Sequence, residues 1–151
     1  MAREHANIKM TPEELRAYLA ADHRLIVATL DADGAPWADG AAYSFVDDRV
    51  YFRIPTDSKT FANIQRDDRV CCVVESKPTI SSYYDIKGAM LHGHAEPLVV
   101  ADRGISSKLD AVPDPVEPNR TGEWAILSVG LDDSVSFVFD KIQGRYQDRS
   151  L

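Results

Sequence analysis

The clearest chemistry in the chain lies between Arg53 and Val70, which read Arg-Ile-Pro-Thr-Asp-Ser-Lys-Thr-Phe-Ala-Asn-Ile-Gln-Arg-Asp-Asp-Arg-Val. An arginine near the end of a strand is followed by the strand-breaking Pro55-Thr56-Asp57. Ser58-Lys59-Thr60 then stands on the first turn of a short helix that runs to about Arg66, capped by Asp57 or Ser58. Backbone N–H groups without helical acceptors, the positive end of the helix dipole, two hydroxyls and an ammonium converge there. That is the donor set that binds a phosphate. Arg53 adds a second cation if its side chain reaches the same point. The same residues also make an ordinary capped helix with an exposed lysine, because Ser and Thr are common at helix starts.

Other reactive side chains are less organised. His92 and His94 flank Gly93 on one strand face, a spacing that offers two imidazoles to a metal, but no third ligand is signalled nearby and no metal is assigned. Cys71 and Cys72 are adjacent in a strand, so they point to opposite faces, cannot easily bridge, and read as buried thiols. Glu13/Glu14 and Asp132/Asp133 read as cap and turn residues, and Trp37 and Tyr83-Tyr84 as barrel or interface aromatics. The chain has no HExxH, GxSxG, Walker lysine, CxxC or GxGxxG, so hydrolase and common dinucleotide-fold readings have no support. No catalytic side chain is assigned.

These residues must be positioned by strands. Thr11-Pro12-Glu13-Glu14 opens a helix to about Ala21. Arg24–Leu30 and Pro36–Val46 form a hairpin about the turn residues 31–34, and Val50, Phe52 and Ile54 alternate with Tyr51 and Arg53, which sets Arg53 on the opposite face. Arg69–Glu75 is a buried strand. Tyr83–Glu96 is a long strand interrupted by Gly88 and Gly93, as at the bends that close small barrels. Val99–Leu109 is a possible helix, residues 112–122 are a proline-studded loop, and Trp124–Val129 with Ser134–Ile142 form a terminal hairpin. About seven strands with two or three short helices, without βαβα alternation, predict a mainly β (α+β) fold, an antiparallel barrel.

The chain of 151 residues is one domain, 1–151, with 44% hydrophobic and 27% charged residues, the composition of a globular protein. A net charge of −7 disfavours nucleic acid and anionic membrane as partners. The polar Met1–Lys9 and the absence of an apolar run near the roughly 20 residues of a membrane span predict a cytoplasmic protein.

The segment Val50–Val70 resembles the signature of the pyridoxamine 5′-phosphate oxidase-like, FMN-binding split-barrel superfamily. Ala28-Thr-Leu-Asp-Ala-Asp-Gly-Ala-Pro36 is similar to that family's first hairpin, and Lys87-Gly-Ala-Met-Leu-His-Gly-His-Ala-Glu96 to its long strand. The resemblance covers about residues 10–98 and implies an FMN-binding split β-barrel. It implies that Arg53, Ser58, Lys59 and Thr60 contact the FMN phosphate and ribityl chain. It also sets residues 41–44, among them Ala42, Tyr43 and Ser44, along the isoalloxazine, with Lys87 on the strand facing the flavin's pyrimidine edge.

The resemblance further implies a homodimer with the flavin at its interface, where residues near Trp124 or Phe139 approach the partner's cofactor. The implied function is an FMN-dependent oxidoreductase that transfers hydride through flavin N5 to or from a small-molecule substrate. Pyridoxamine phosphate oxidation itself is not expected, since the segment Arg145–Leu151 carries no recognisable Arg/His pocket for that substrate. The alternatives on the same barrel are a deazaflavin-dependent reductase and a non-catalytic module binding flavin or heme.

Overall fold

The computed structural model describes residues 10–21, 24–75, 88–98, 103–110, 121–131 and 135–139. Thr11 caps helix α1 (Pro12–Ala20), its side chain accepting from the N–H of Glu14, with proline in the first turn, where its missing N–H costs nothing. Leu15, Tyr18 and Leu19 are its buried face and join the main core.

Strands β1 (Arg24–Leu30) and β2 (Pro36–Val46) pair antiparallel as the expected hairpin. The turn is organised by Asp31, whose Oδ1 accepts from the N–H groups of Asp33 and Ala35, both at 2.9 Å, while Gly34 takes a φ of +79° that favours glycine. β2 then changes partner: Pro36–Ala41 run along β1, and Ala42–Val46 run along β3 (Arg49–Pro55). Asp47 and Asp48, both at positive φ, make the tight turn between β2 and β3. Helix α2 (Lys59–Arg66) follows β3, then β4 (Arg69–Glu75), β5 (Gly88–His94), the two-residue β6 (Glu96–Pro97), helix α3 (Arg103–Asp110), β7 (Trp124–Gly130) and β8 (Val135–Phe139).

The strand order is β6-β7-β3-β2-β1-β4-β5-β8, and every pairing is antiparallel. β6 continues β5 after the single residue Ala95, so the stretch bordering β4 at Gly93 borders β7 at Glu96. The change of partner at Ala95 closes the sheet toward a barrel, whereas the register with β4 runs unbroken through Gly93 and the irregularity of β5 lies between Met90 and Leu91 on the β8 side. Phe52, Leu25, Val27, Val50, Val74, Leu91 and Val129 fill its interior, each at most 1% exposed.

Three expectations need correction or limits. β7 and β8 do not form a hairpin ladder among the described residues: β7 pairs with β3 and β6, and β8 lies at the far edge beside β5. The alternation of Val135, Phe137 and Phe139 gives a strand its faces and leaves its partner open. The two cysteines also differ. Cys72 is fully buried, its thiol pushed up to about 12 by burial, whereas Cys71 points outward and is half-buried. Tyr83, Tyr84, Lys87, residues 112–120 of the expected 112–122 loop and Asp132/Asp133 lie outside the described residues.

Candidate phosphate site at the start of helix α2

Ser58 is the N-cap of α2. Its Oγ accepts from the N–H of Phe61 at 3.1 Å and donates to the carbonyl of Pro55 at 2.7 Å, so one hydroxyl closes the loop that leaves β3 and opens the helix. Thr56 ties that loop to the start of β7, its N–H donating to the carbonyl of Glu123 at 3.1 Å. From the other side, Asn63, 2% exposed, donates to Thr29 Oγ1 on β1 at 2.9 Å, and Arg66 donates to the carbonyl of Leu30. The middle and end of α2 are therefore held against the β1–β2 hairpin, Asn63 by a buried contact and Arg66 by an exposed one.

Lys59 and Thr60 project into this junction. The Lys59 ammonium lies 4.3 Å from the centroid of the Trp37 ring and 3.4 Å from Asp31 Oδ2. Thr60, 1% exposed, donates to Asp39 Oδ2, which also accepts from Trp37 Nε1 at 2.9 Å. The N–H of Ala35 first, and then that of Asp33 and the Lys59 ammonium, hold the Asp31 carboxyl below its usual range against the opposing effect of burial. The side chain of Lys59 is 46% exposed against 18% for Asp31, so the ammonium remains accessible to a ligand from solvent.

Arg53 occupies a different position. Because Val50, Phe52 and Ile54 fill the core, Arg53 stands on the outer face of β3, as expected from the alternation, and its register partner Ala42 shares that face. Its guanidinium stacks 4.5 Å from the centroid of Trp124, and its Nη1 donates to Asp110 Oδ1 on α3 at 2.9 Å. Ser44, opposite Tyr51, lies on the same outer face. Tyr43 points the other way, packs against the core, and donates its hydroxyl to the carbonyls of Leu19 and Ala21, each at 3.0 Å. The structure thus brings Ser58, Lys59 and Thr60 together, places Ala42, Ser44 and Arg53 on the outer face of β2 and β3, and turns Tyr43 toward α1.

Sequence reasoning missed the carboxylates. In the sequence Asp31 is explained by its turn, Asp39 by nothing local, and Asp110 falls just past the expected helix Val99–Leu109; each meets its cation or hydroxyl through the fold. As a donor set, the first-turn amides and the Lys59 ammonium suit a phosphate monoester, while the Arg53 guanidinium is a separate cation held by Trp124 and Asp110.

A groove of about 660 Å³ lies at the other end of α2, lined by Leu30, Asp31, Gly34, Arg66, Asp68 and Arg69 among others, and Asp31 alone is common to it and the Lys59 cluster. On the outer face of β4 and β5, Cys71 Sγ and His92 Nε2 are 3.6 Å apart, and His94 Nδ1 is 2.6 Å from Asp68 Oδ1. Among the described residues no group of three or more His, Cys, Asp or Glu side chains could hold a metal ion. No helix among them is long and apolar enough to cross a membrane.

An antiparallel sheet curled on itself, with three short helices among the described residues, defines a split barrel. The chain belongs to the Pyridoxamine 5′-phosphate oxidase family, whose pattern it matches over residues 11–111. No curated protein matches it significantly. Among solved structures it is similar to an F420 reductase, at 19% identity and TM-score 0.56, over 80% of this chain and 94% of the other. It is also similar to the heme storage protein HutZ of Vibrio cholerae, at 12% identity and TM-score 0.63, over 86% and 94% of the two chains. A FAD-binding protein of Mesorhizobium loti is similar at 15% identity and TM-score 0.63, over 86% and 91%. At these identities the likeness is one of fold.

Proposed function

We propose that the protein is an FMN-dependent oxidoreductase, a cytoplasmic homodimer that acts on a small molecule and grips the FMN phosphate at the start of α2. The observation that carries this reading is the Ser58-Lys59-Thr60 turn, fixed against the β1–β2 hairpin and presenting a half-exposed ammonium, in a chain of this family. Lys59 supplies the point charge, the Ser58 cap shapes the turn, Thr60 packs beneath it, and Arg53 supplies a second cation. Ala42 and Ser44 offer the strand face for the ring, with Lys87 near its polar edge and Tyr43 anchoring β2 to α1.

Bound FMN supplies hydride transfer at the isoalloxazine N5. The protein's part is to hold and orient the ring and to limit water at it, for which no side-chain acid or base is assigned. The outer face of β1, β4 and β5 favours a dimer, since Ile26, Ala28, Cys71, Val73 and Met90 form a half-buried apolar band there. In this reading the proline-rich segment Pro113–Pro118 helps shape access to the flavin and so selects the substrate.

Two readings on the same barrel have specific support. The likeness to an F420 reductase favours a deazaflavin coenzyme in place of FMN. The likeness to a heme storage protein, with an exposed His92 on the outer face, favours a non-catalytic heme or flavin carrier. The absorbance spectrum of purified protein, before and after incubation with each coenzyme, separates these readings. A flavin spectrum and turnover with a reduced nicotinamide support the proposal. Protein that takes up neither flavin nor deazaflavin contradicts it.

A further inference from the structure

Arg53 is held in the same way as Lys59: each cation lies over a tryptophan ring and against a carboxylate, Trp124 and Asp110 for Arg53, Trp37 and Asp31 for Lys59. The two carboxylates differ in what carries them. Asp31 belongs to the rigid hairpin turn, its Oδ1 taken by two backbone N–H groups. Asp110 is the last residue of α3, a separate eight-residue helix, and its side chain is 69% exposed while that of Arg53 is 12% exposed.

α3 lies against β2 and β3. Its Ile105 and Leu109 are buried, and together with Ala42 they are outside the cluster that fills the barrel. α3 therefore covers the outer face of β2 at Ala42, next to the residue pair Ala42 and Arg53. The buried Ile105 and Leu109 and the Asp110–Arg53 ion pair help hold a helix too short to be stable alone.

We propose that Asp110 is an autoinhibitory competitor: its carboxylate occupies the Arg53 guanidinium that the phosphate of the cofactor requires, and it ties α3 over the strand face that receives the ring. This rests on the reading of Arg53 and Lys59 as phosphate ligands. A carboxylate and a phosphate monoester engage a guanidinium through the same geometry, and the dianion is the stronger partner. Cofactor binding then exchanges one anion for the other on Arg53 without leaving that guanidinium unneutralised. Asp110, already largely in water, is released at little desolvation cost. Freed of its tie, α3 keeps the packing of Ile105 and Leu109.

The test is the affinity of full-length wild type, Asp110→Asn and Asp110→Glu for FMN and for riboflavin, which lacks the phosphate. Competition predicts that Asp110→Asn binds FMN about three- to fivefold more tightly, the effect of an exposed ion pair. It predicts that Asp110→Glu stays near wild type and that the gain is smaller or absent with riboflavin. Amide hydrogen exchange without cofactor is the second readout, where α3 opens more readily in Asp110→Asn than in wild type. FMN binding that is unchanged or weakened in Asp110→Asn overturns the proposal, a weakening showing that Asp110 instead positions Arg53 for the phosphate. Wild type that binds FMN no better than riboflavin, or binds neither, contradicts the underlying phosphate reading itself.

Discussion

Lys59 stands over the indole of Trp37, its ammonium 4.3 Å from the ring centroid, and the same indole donates to Asp39, which in turn accepts from Thr60. One tryptophan on β2 thus touches the lysine directly and its neighbour through a shared carboxylate. The cation is held at a fixed place by a ring face and by Asp31, which is itself fixed by the turn. A lysine without that platform would sweep a wide volume and lose rotamer freedom on binding.

Trp37→Leu removes the ring face and the Asp39 donor while keeping an apolar side chain at a position 37% exposed. A cation–aromatic contact at a half-exposed site contributes about 0.5–1 kcal/mol. FMN affinity is therefore expected to fall about two- to fivefold in a fluorescence titration, with little change in the unfolding midpoint. Trp37→Phe, which keeps a ring, should recover part of the loss.

Asn63→Ala tests whether buried polar contacts hold the helix in register. Asn63 and Thr29 are 2% and 3% exposed and share a hydrogen bond of 2.9 Å, so truncation leaves the Thr29 hydroxyl without this donor and opens a small void. The expected loss is about 1–3 kcal/mol in urea unfolding. Asn63→Asp, with a similar shape and a buried charge, should be at least as damaging.

Acid stability should carry the mark of Asp67. The Arg69 guanidinium, then the Arg69 N–H, hold its carboxyl down from 3.8 to about 2. A carboxyl lowered in the folded state contributes stability above its unfolded value and loses it as pH falls through the folded value. Wild type should therefore lose stability between pH 3.8 and about 2, and Asp67→Asn should lose less across that window. Unfolding midpoints measured at several pH values for both proteins check this. Equal slopes would remove Asp67 from the account.

Local chemistry made most of the fold readable. Ser58 with Phe61 and Ile64 spells out α2, Thr11-Pro12 with Glu14 spells out α1, and the turn residues 31–34 fix the first hairpin. What the sequence did not show was partner choice. The period-2 pattern of β8 defines two faces equally well beside β7 or β5, and the structure selects β5.

The candidate site divides along the same line. Ser58, Lys59 and Thr60 are contiguous, so their convergence is a property of one helix turn. The carboxylates that face the cations come from 28 residues away for Lys59 and 57 residues away for Arg53. No local pattern carries that information, because Asp31 is explained in sequence by its turn and Asp110 by the end of a helix.

The central claim is that Lys59 holds a phosphate and not the flavin ring. The direct measurement is an equilibrium titration of wild type and Lys59→Met with FMN and with riboflavin. A charge-assisted hydrogen bond contributes about 1.5–3 kcal/mol, so Lys59→Met should lose about ten- to a hundredfold in FMN affinity and leave riboflavin affinity nearly unchanged. Equal losses for the two ligands, or no loss for FMN, would contradict it.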